Sequence, residues 1–400
     1  MKKVYIAAAK RTAIGSFNGT LSTVPAPRFA AEVVKRILSD TGVPAADILE
    51  VLVGNILPAG CGQGVARQVS INAGLPVEVP AYSLNMACGS GMKAMMICVA
   101  SAWAGLGELF IAGGTENMSR APYLLTDARK GLGLGEQKLT DHMVYDALTD
   151  AFDGQHMGIT AETVAERYGI TREAQDAFAI KSQEKAIAAV DAGAFKEEIV
   201  PVTVKIRRDE IVFDTDEYPN RKTSVEKLAA LRPAFKKDGT VTAGNASGIN
   251  DGAAFVLIAT EDAVAKYSLT PMAEIIGIGQ GGVEPNVMGL GPVPATRNAL
   301  AMASRTLAEM DYVELNEAFA AQSLGVLTEL SREHGISMDA LQAKTNINGG
   351  AIALGHPVGA SGARIVVTLA HLLKAKAATY GLASLCIGGG MGTAVVLKRV

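Results

Sequence analysis

The sequence contains two similar segments, one in each half of the chain. In the N-terminal segment, Ser90-Gly91 opens a predicted helix that leads to the apolar run 109–112 and a Gly-Gly pair. In the C-terminal segment, Ser361-Gly362 opens a predicted helix that leads to Leu385-Cys386-Ile387 and the glycines that follow. Two long copies, rather than many short ones, predict a duplicated α/β unit and not a solenoid.

Short apolar runs alternate with helical patterns along the chain. The runs 4–8, 50–54 and 109–112 have the length and composition of buried strands, while 29–38 and 90–104 show helical periodicity. Residues 47–55 also resemble residues 310–316, and each of these runs ends at an Asn. The alternation predicts a mostly parallel sheet covered by helices.

The region 119–250 differs from both copies. Thr171 is a plausible helix N-cap, and the helix that it opens is expected to run to about Val190, ahead of Gly193. We therefore predict an inserted loop domain at 119–250. It interrupts an N-terminal half that comprises residues 1–118 and 251–270, and the C-terminal half is residues 271–400.

Composition excludes several classes of protein. A net charge of −3 and a pI near 6.0 give no electrostatic reason to expect nucleic acid. The four cysteines form no CxxC pair and the five histidines form no HExxH motif, so neither a disulfide framework nor a zinc site is expected. The apolar run 4–9 is too short for a signal peptide, and the longest apolar stretch, 94–107, is too short for a membrane span. A cytoplasmic protein without a membrane partner is expected.

Cys88 is the first candidate for chemistry. It lies in residues 85–91, where an extended run turns into the predicted helix at Ser90. The positive end of a helix dipole lowers the pKa of a thiol, so we expect an activated nucleophile. The flanking glycines let another group approach closely. The motif alone is equally compatible with a small core residue at a tight turn.

Three further candidates lie in the C-terminal half. His356 belongs to the glycine-rich loop 346–362, and an imidazole held by such a loop is a candidate base for a thiol. Cys386 precedes three glycines whose backbone N–H groups could form an oxyanion hole. Asn316 ends an apolar run and could fix a water or polarise a carbonyl group.

Taken together and in this order, these motifs resemble those of the thiolase family. The resemblance covers nearly the whole chain. The shared blocks lie at residues 11–17, 85–91, 113–119, 244–253, 316–319, 346–362 and 386–390. The resemblance implies the thiolase fold, an α/β fold of two duplicated halves packed as layered sheets and helices, with an inserted loop domain.

The resemblance also implies a role for each candidate. Cys88 would carry an acyl group, and His356 would accept the Cys88 proton. Cys386 would remove a proton from the methyl group of a second acetyl-CoA. Asn316 would hold a water that forms one oxyanion hole with His356, and the N–H groups of Cys88 and Gly388 would form the other. No cofactor or metal is implied, because the coenzyme A thioester is itself the substrate.

Positions matching family contacts predict the binding site for coenzyme A and the acyl group. Arg221 would contact the nucleotide, and Met157 and Met288 would crowd the acyl pocket. The remaining predicted contacts are Leu148, His156, Phe235, Ala243, Ser247, Ala318 and Phe319. Without the resemblance, the apolar residues among them would be read as core packing.

The implied reaction is the Claisen condensation of two acetyl-CoA to acetoacetyl-CoA and coenzyme A, with its reverse, in a homotetramer or homodimer. A longer-chain 3-ketoacyl-CoA thiolase, a non-catalytic lipid carrier, and a redox switch through Cys88 and Cys386 remain alternatives. Two positions depart from the family pattern. Met86-Ala87 replaces the usual Lys-Val before the nucleophile, and Pro219-Asn220 shifts the register near Arg221.

Overall fold

The structure is a computed structural model that describes residues 2–400. The strands are β1 Val4–Thr12, β2 Gly15–Ser16, β3 Glu50–Gly54, β4 Ala81–Leu84, β5 Leu109–Asn117, β6 Tyr123–Leu124, β7 Thr140–Asp141, β8 Ile199–Val200, β9 Val202–Ile206, β10 Asp209–Phe213, β11 Asn250–Thr260, β12 Ala273–Gly282, β13 Tyr312–Leu315, β14 Tyr380–Ile387 and β15 Met391–Arg399. The α-helices are α1 Ala26–Thr41, α2 Val65–Asn72, α3 Ser90–Trp103, α4 His142–Ala147, α5 Met157–Tyr168, α6 Arg172–Asp191, α7 Val225–Ala229, α8 Glu261–Lys266, α9 Pro292–Ala303, α10 Ala320–His334, α11 Met338–Lys344, α12 Ala351–Leu354 and α13 Val358–Ala375.

The two halves repeat the same sheet. The N-terminal half has the strand order β1-β11-β5-β3-β4, and the C-terminal half has the order β12-β15-β14-β13. The halves join edge to edge through β1 and β12, where Tyr5 pairs with Glu274 and Ile6 pairs with Ala273. The predicted duplication is confirmed, because the strands after the matching helices, β5 and β14, hold equivalent places.

The prediction of a mostly parallel sheet is wrong. Parallel pairing is confined mainly to β3 with β4 and β5, and β13 with β14. The last strand of each half, β11 or β15, returns antiparallel between two others. In the C-terminal half the cause is local: residues 388–390 join β14 to β15 as a tight hairpin, which only an antiparallel pair allows.

The layers are helix, sheet, helix, sheet and helix. Helices α1 and α2 pack with the N-terminal sheet in one apolar cluster, and α9 and α10 pack with the C-terminal sheet in another. Helices α3 and α13 lie between the sheets and share a core with strands of both halves. Each sheet is therefore covered on two faces, as its near-continuous apolar strands require.

The two central helices cross at backbone contact. A Cβ added at Gly91 of α3 would lie 2.9 Å from the Gly359 carbonyl oxygen and 3.1 Å from the Ala363 nitrogen of α13. Any larger side chain at Gly91 would push the helices apart. Because Cys88 precedes α3 and His356 precedes α13, this crossing brings the two candidates to the same place in the fold.

Helix boundaries agree with the sequence in one case and differ in another. Helix α6 starts after its predicted cap, since Thr171 Oγ1 accepts a hydrogen bond from the Ala174 N–H, and it ends at Asp191. Helix α13 begins at Val358 and not at Ser361. Pro357 is the N-cap residue, and its carbonyl already accepts the Ser361 N–H at 3.0 Å, so the first helical turn closes ahead of Ser361.

Helix α13 is long and apolar enough, by length and composition, to cross a membrane, although the sequence patterning had identified no such segment. In this structure 83% of its Val358–Ala375 window is buried. Some of its polar groups have partners inside the protein: Arg364 Nη1 lies 3.5 Å from a Glu314 oxygen, and Thr368 donates to Glu198. The helix is a core element of the fold.

The region 119–250 supplies the β6–β7 and β9–β10 ribbons and helices α4 to α7, and β8 pairs in parallel with β1. A buried cation fixes this attachment. Arg11 of β1 donates to Glu198 at 2.6 Å and to both oxygens of Asp216 at 2.7 and 2.9 Å. The boundaries assigned from the sequence to this region and to the two halves stay predictions.

Candidate active site

Cys88 lies in a strained turn between β4 and α3. Ala87 has a φ of 41°, a left-handed conformation that costs a non-glycine residue about 1–2 kcal/mol. Two side chains hold the turn. Ser90 Oγ donates to the Ala87 carbonyl and accepts from the Met86 N–H, and Asn85 Oδ1 accepts from the Ala87 N–H. The departure at Met86-Ala87 is thus accommodated, with both residues packed against the central core.

The expected lowering of the Cys88 pKa is wrong. Burial raises the pKa of the thiol to about 11, opposed by hydrogen bonds from the Gly388 N–H and from its own N–H. The negative charge of Glu116 adds to the increase. The tertiary environment outweighs the helix terminus, so Cys88 is a neutral thiol at neutral pH and needs a base.

The hairpin between β14 and β15 brings the second cysteine and Gly388 to Cys88. Cys386, near the end of β14, is buried, and both burial and the neighbouring Cys88 raise its pKa. A Cβ added at Gly388 would lie 3.5 Å from Met157 Sδ and 4.0 Å from the Ala87 Cβ. The Gly388 N–H forms a hydrogen bond to the Cys88 thiol, a position that suits one donor of an oxyanion hole.

His356 is fixed by two hydrogen bonds. Its backbone N–H donates to Asn250 Oδ1 at 2.9 Å, and its Nδ1 lies 2.6 Å from Ser361 Oγ. Ser361 Oγ also lies within hydrogen-bond distance of the Pro357 carbonyl at 3.0 Å; with the hydroxyl proton donated there, Nδ1 would carry the ring proton and Nε2 would keep a lone pair. Burial and Arg364 lower the His356 pKa to about 4, so the imidazole is neutral at neutral pH and has a free nitrogen that can accept a proton.

Asn316 follows β13 and is fully buried behind His356. Its Nδ2 lies 3.5 Å from His356 Nδ1. Its Oδ1 has no hydrogen-bond partner within residues 2–400. A buried amide oxygen without a partner is rare in folded proteins and suits a polar group that is used in chemistry.

One cavity of about 360 Å³ joins the candidates. Cys88, Cys386 and His356 line it, whereas Asn316 and Gly388 are not among its lining residues. The predicted contacts that also line it are Leu148, His156, Met157, Phe235, Ala243, Ser247, Met288, Ala318 and Phe319. The His156 ring stacks on Phe235 with ring centroids 4.6 Å apart, and Phe235 meets Phe319 edge to face. The result is a narrow, largely apolar tunnel that ends at two thiols and an imidazole.

Arg221 lies apart from this cavity. It lines an outer cavity of about 950 Å³, is largely exposed and pairs with Asp191 at 2.9 Å. Tyr218 and Ala243 line both cavities, so the outer one adjoins the tunnel. This is a suitable place for the nucleotide end of a long substrate.

Several lining residues were not predicted from the sequence. They are Phe17, Met118, Ala147, Tyr218, Ala234, Ala246, Gly248, Ile249 and Val358. Six of them belong to the motif blocks noted above, which could have identified them: Phe17, Met118, Ala246, Gly248, Ile249 and Val358. Within residues 2–400 no group of three or more His, Cys, Asp or Glu side chains could hold a metal ion.

Comparisons with known proteins agree with this geometry. Residues 4–262 match the family described as thiolase, N-terminal domain, and residues 269–399 match thiolase, C-terminal domain. The chain is 53% identical to an acetyl-CoA acetyltransferase of Pseudomonas aeruginosa over the whole of both proteins. It is 42% identical to the solved acetyl-CoA acetyltransferase from Syntrophomonas wolfei, with a TM-score of 0.97 and full coverage of both chains. A human mitochondrial 3-ketoacyl-CoA thiolase is 41% identical, with a TM-score of 0.94 and coverage of 100% and 99%.

The raised pKa of Cys88 predicts how its reactivity depends on pH. Only the thiolate is alkylated, so the rate of Cys88 modification by iodoacetamide should rise steadily between pH ~7 and ~10. Peptide mass spectrometry would follow the adduct on Cys88 separately from the other cysteines. A rate that levels off below pH ~8 would instead indicate the lowered pKa expected of a helix terminus.

Proposed function

This chain belongs to the thiolase family, and we propose that it is an acetyl-CoA C-acetyltransferase working through an acetyl group on Cys88. The observation that carries the proposal is that two thiols and one neutral imidazole line one apolar cavity, with the Gly388 N–H hydrogen-bonded to the Cys88 thiol. No single step of acyl transfer needs two cysteines. A two-step condensation does, because one thiol carries the acyl group while the other acts as a base.

In the first step, Cys88 Sγ attacks the thioester carbonyl of acetyl-CoA and its proton passes to His356 Nε2. The bond between the carbonyl carbon and coenzyme A breaks, and the departing sulfur takes the proton of Cys386. Acetyl-Cys88 remains, with a Cys386 thiolate and a His356 imidazolium. Burial disfavours the separated charges, since it raises the pKa of the thiols and lowers that of the imidazole, and the attraction between the thiolate and the imidazolium offsets part of this cost.

In the second step, Cys386 removes a proton from the methyl group of another acetyl-CoA. The enolate carbon attacks the acetyl carbon on Cys88, a carbon–carbon bond forms, and the Cys88 sulfur leaves and regains its proton from His356. The enolate oxygen would be held by His356 and a water on Asn316, and the tetrahedral oxyanion by the N–H groups of Cys88 and Gly388. Each such donor is typically worth ~3–4 kcal/mol.

The alternative is a 3-ketoacyl-CoA thiolase for longer chains, which the similarity to the human enzyme brings into consideration. The side chains of Met157 and Met288 favour the short-chain reaction. Both are buried, and both pack in one cluster with Cys386. The Met157 sulfur also lies close to Gly388, so this side chain stands beside the reacting groups.

The proposed activity is tested directly with acetoacetyl-CoA and coenzyme A, which should yield acetyl-CoA. Exposure to acetyl-CoA alone should add about 42 Da to the peptide containing Cys88, the mass of an acetyl group on the nucleophile. Cys88→Ala should lower turnover at least ~1,000-fold, because no other group can carry the acyl chain. Cys61→Ala is the control, since Cys61 lies outside the cavity and should change turnover less than ~threefold.

A folded wild-type protein with neither turnover nor an adduct on Cys88 would contradict the proposal. That result would favour the non-catalytic lipid carrier, which needs none of the reactive side chains.

The acyl pocket predicts chain-length preference. The wild type should cleave acetoacetyl-CoA faster than an eight-carbon 3-ketoacyl-CoA, and Met288→Ala should raise the ratio for the longer substrate about tenfold, since removing three side-chain heavy atoms enlarges the pocket. Values of kcat/KM for both substrates measure this ratio. A wild type that cleaves the eight-carbon substrate about ten times faster would support the longer-chain activity instead.

We propose a homodimer or homotetramer in the cytoplasm. Strand β4 lies at the edge of the N-terminal sheet with Tyr82 44% exposed, so its free backbone groups suit pairing with a second copy. Exposed Leu132, Leu134 and Leu139 offer a second apolar contact. The four free cysteines suit a reducing compartment. Sedimentation equilibrium should give two or four chains per particle, and a monomer at every concentration would contradict an oligomer.

A further inference from the structure

The chemistry proposed above gives no role to Glu317, which follows Asn316 directly. Its side chain is buried, yet both carboxylate oxygens are bonded. Oε1 accepts from Asn346 Nδ2 at 2.8 Å, while Oε2 accepts from Ser182 Oγ at 2.6 Å and from the Ile352 N–H at 3.3 Å. A buried carboxylate with three donors is a built feature of the fold, since burying a charge without partners is costly.

The partners belong to separate segments. Asn346 and Ile352 lie in the loop that carries His356, and Ser182 lies on α6 of the inserted region. Asn346 also binds Leu315, the last residue of β13 and the neighbour of Asn316. Its Oδ1 accepts from the Leu315 N–H at 2.8 Å, and its Nδ2 donates to the Leu315 carbonyl at 2.7 Å. One carboxylate therefore ties the end of β13 to the His356 loop.

The loop lies directly on this carboxylate. A Cβ added at Gly350 would collide with the carboxyl group of Glu317, and the Gly350 N–H donates to Ser182 Oγ at 3.1 Å. Beyond Ile352 the chain reaches His356 within one helical turn, α12, and the Gly355 turn. If the loop moved where it contacts Glu317, the His356 imidazole would move with it.

We infer that Glu317 is a positioning residue, which sets the separation between the Asn316 amide and the His356 imidazole by holding loop 346–356 against β13. The inference rests on the proposed thiolase activity, in which this pair holds the enolate oxygen. Charged groups face the carboxylate from neighbouring elements: Lys185 of α6 is the nearby cation and Glu314 of β13 the nearby anion.

The exchange Glu317→Gln tests the hydrogen bonds at nearly constant volume. A glutamine NH₂ in the place of Oε1 would face the Asn346 NH₂, and in the place of Oε2 it would face the Ile352 N–H. Asn346 cannot turn to relieve the conflict, because both ends of its amide are bonded to Leu315. Either orientation sets two donors against each other, at the two contacts that anchor the His356 loop.

We expect Glu317→Gln to lower kcat for acetoacetyl-CoA cleavage at least tenfold, with KM for both substrates within about threefold of the wild type. Rates are expressed per active site, counted as acetyl-Cys88 by mass spectrometry. Alkylation of Cys88 should stay within about twofold, because Glu317 does not contact Cys88. A general loss of structure would change KM and the reactivity of Cys88 as well as kcat. A lower kcat with unchanged KM and unchanged Cys88 alkylation therefore indicates a positioning role for Glu317.

Glu162→Gln is the matched control. Glu162 is another buried carboxylate, which accepts from the N–H groups of Thr240 and Val241 and makes no hydrogen bond to β13 or to loop 346–356, and its variant should keep kcat within about threefold. A kcat for Glu317→Gln within threefold of the wild type would overturn the inference. An equal loss in Glu162→Gln would do the same, since any neutralised buried carboxylate would then have the effect.

If the Glu317→Gln variant does not fold, the Asn346→Gly variant tests the same inference. Asn346 has a φ of 46°, which glycine adopts freely, and the exchange removes the donor to Oε1. The same loss of kcat at unchanged KM is expected, and kcat within threefold of the wild type would contradict the inference. The wild type is run in the same assay, so that absence of wild-type turnover counts against the proposed activity and not against the role of Glu317.

Discussion

The backbone contact between α3 and α13 is the constraint from which the site follows. Each helix begins just after a candidate catalytic residue, and each contributes a glycine, Gly91 or Gly359, to the crossing. Glu116 supports the contact from the side, accepting from the Gly359 N–H at 3.1 Å and from the Ile56 N–H at 2.9 Å. The two halves of the duplicated fold thus meet at the point where the chemistry is proposed.

Burial gives the site its electrostatic character. It raises the pKa values of both cysteine thiols and lowers that of the imidazole, so the resting groups are neutral. The two thiols and the imidazole are therefore uncharged before substrate binds, and they become charged only during the reaction. In a cavity this apolar, the N–H donors at Cys88 and Gly388 stabilise a developing oxyanion more strongly than they would in water.

Much of this could be predicted from the sequence, and the remainder depended on long-range contacts. The duplication, the α6 cap at Thr171 and the glycine-rich surroundings of His356 and Cys386 are local patterns. The antiparallel return of β11 is not local, because its partners β1 and β5 lie more than a hundred residues away in the chain. The sign of the Cys88 pKa shift likewise depends on burial by distant segments, which a helix-terminus argument does not include.

The residues that line the cavity were also only partly predictable from the sequence. Ala147 lies outside the motif blocks and has the character of a core residue, so only the folded cavity identifies it as a lining residue. Arg221 was predicted from family position alone, and it lies in the outer cavity beside Asp191, where a nucleotide role stays a prediction.

The central claim is that one covalent intermediate on Cys88 separates two half-reactions. Initial rates measured while acetoacetyl-CoA and coenzyme A are both varied test it most directly, because coenzyme A can act only after the first product has left. The account predicts parallel lines in the double-reciprocal plot, the ping-pong pattern. Lines that intersect to the left of the axis would show both substrates bound together before any chemistry, and would contradict it.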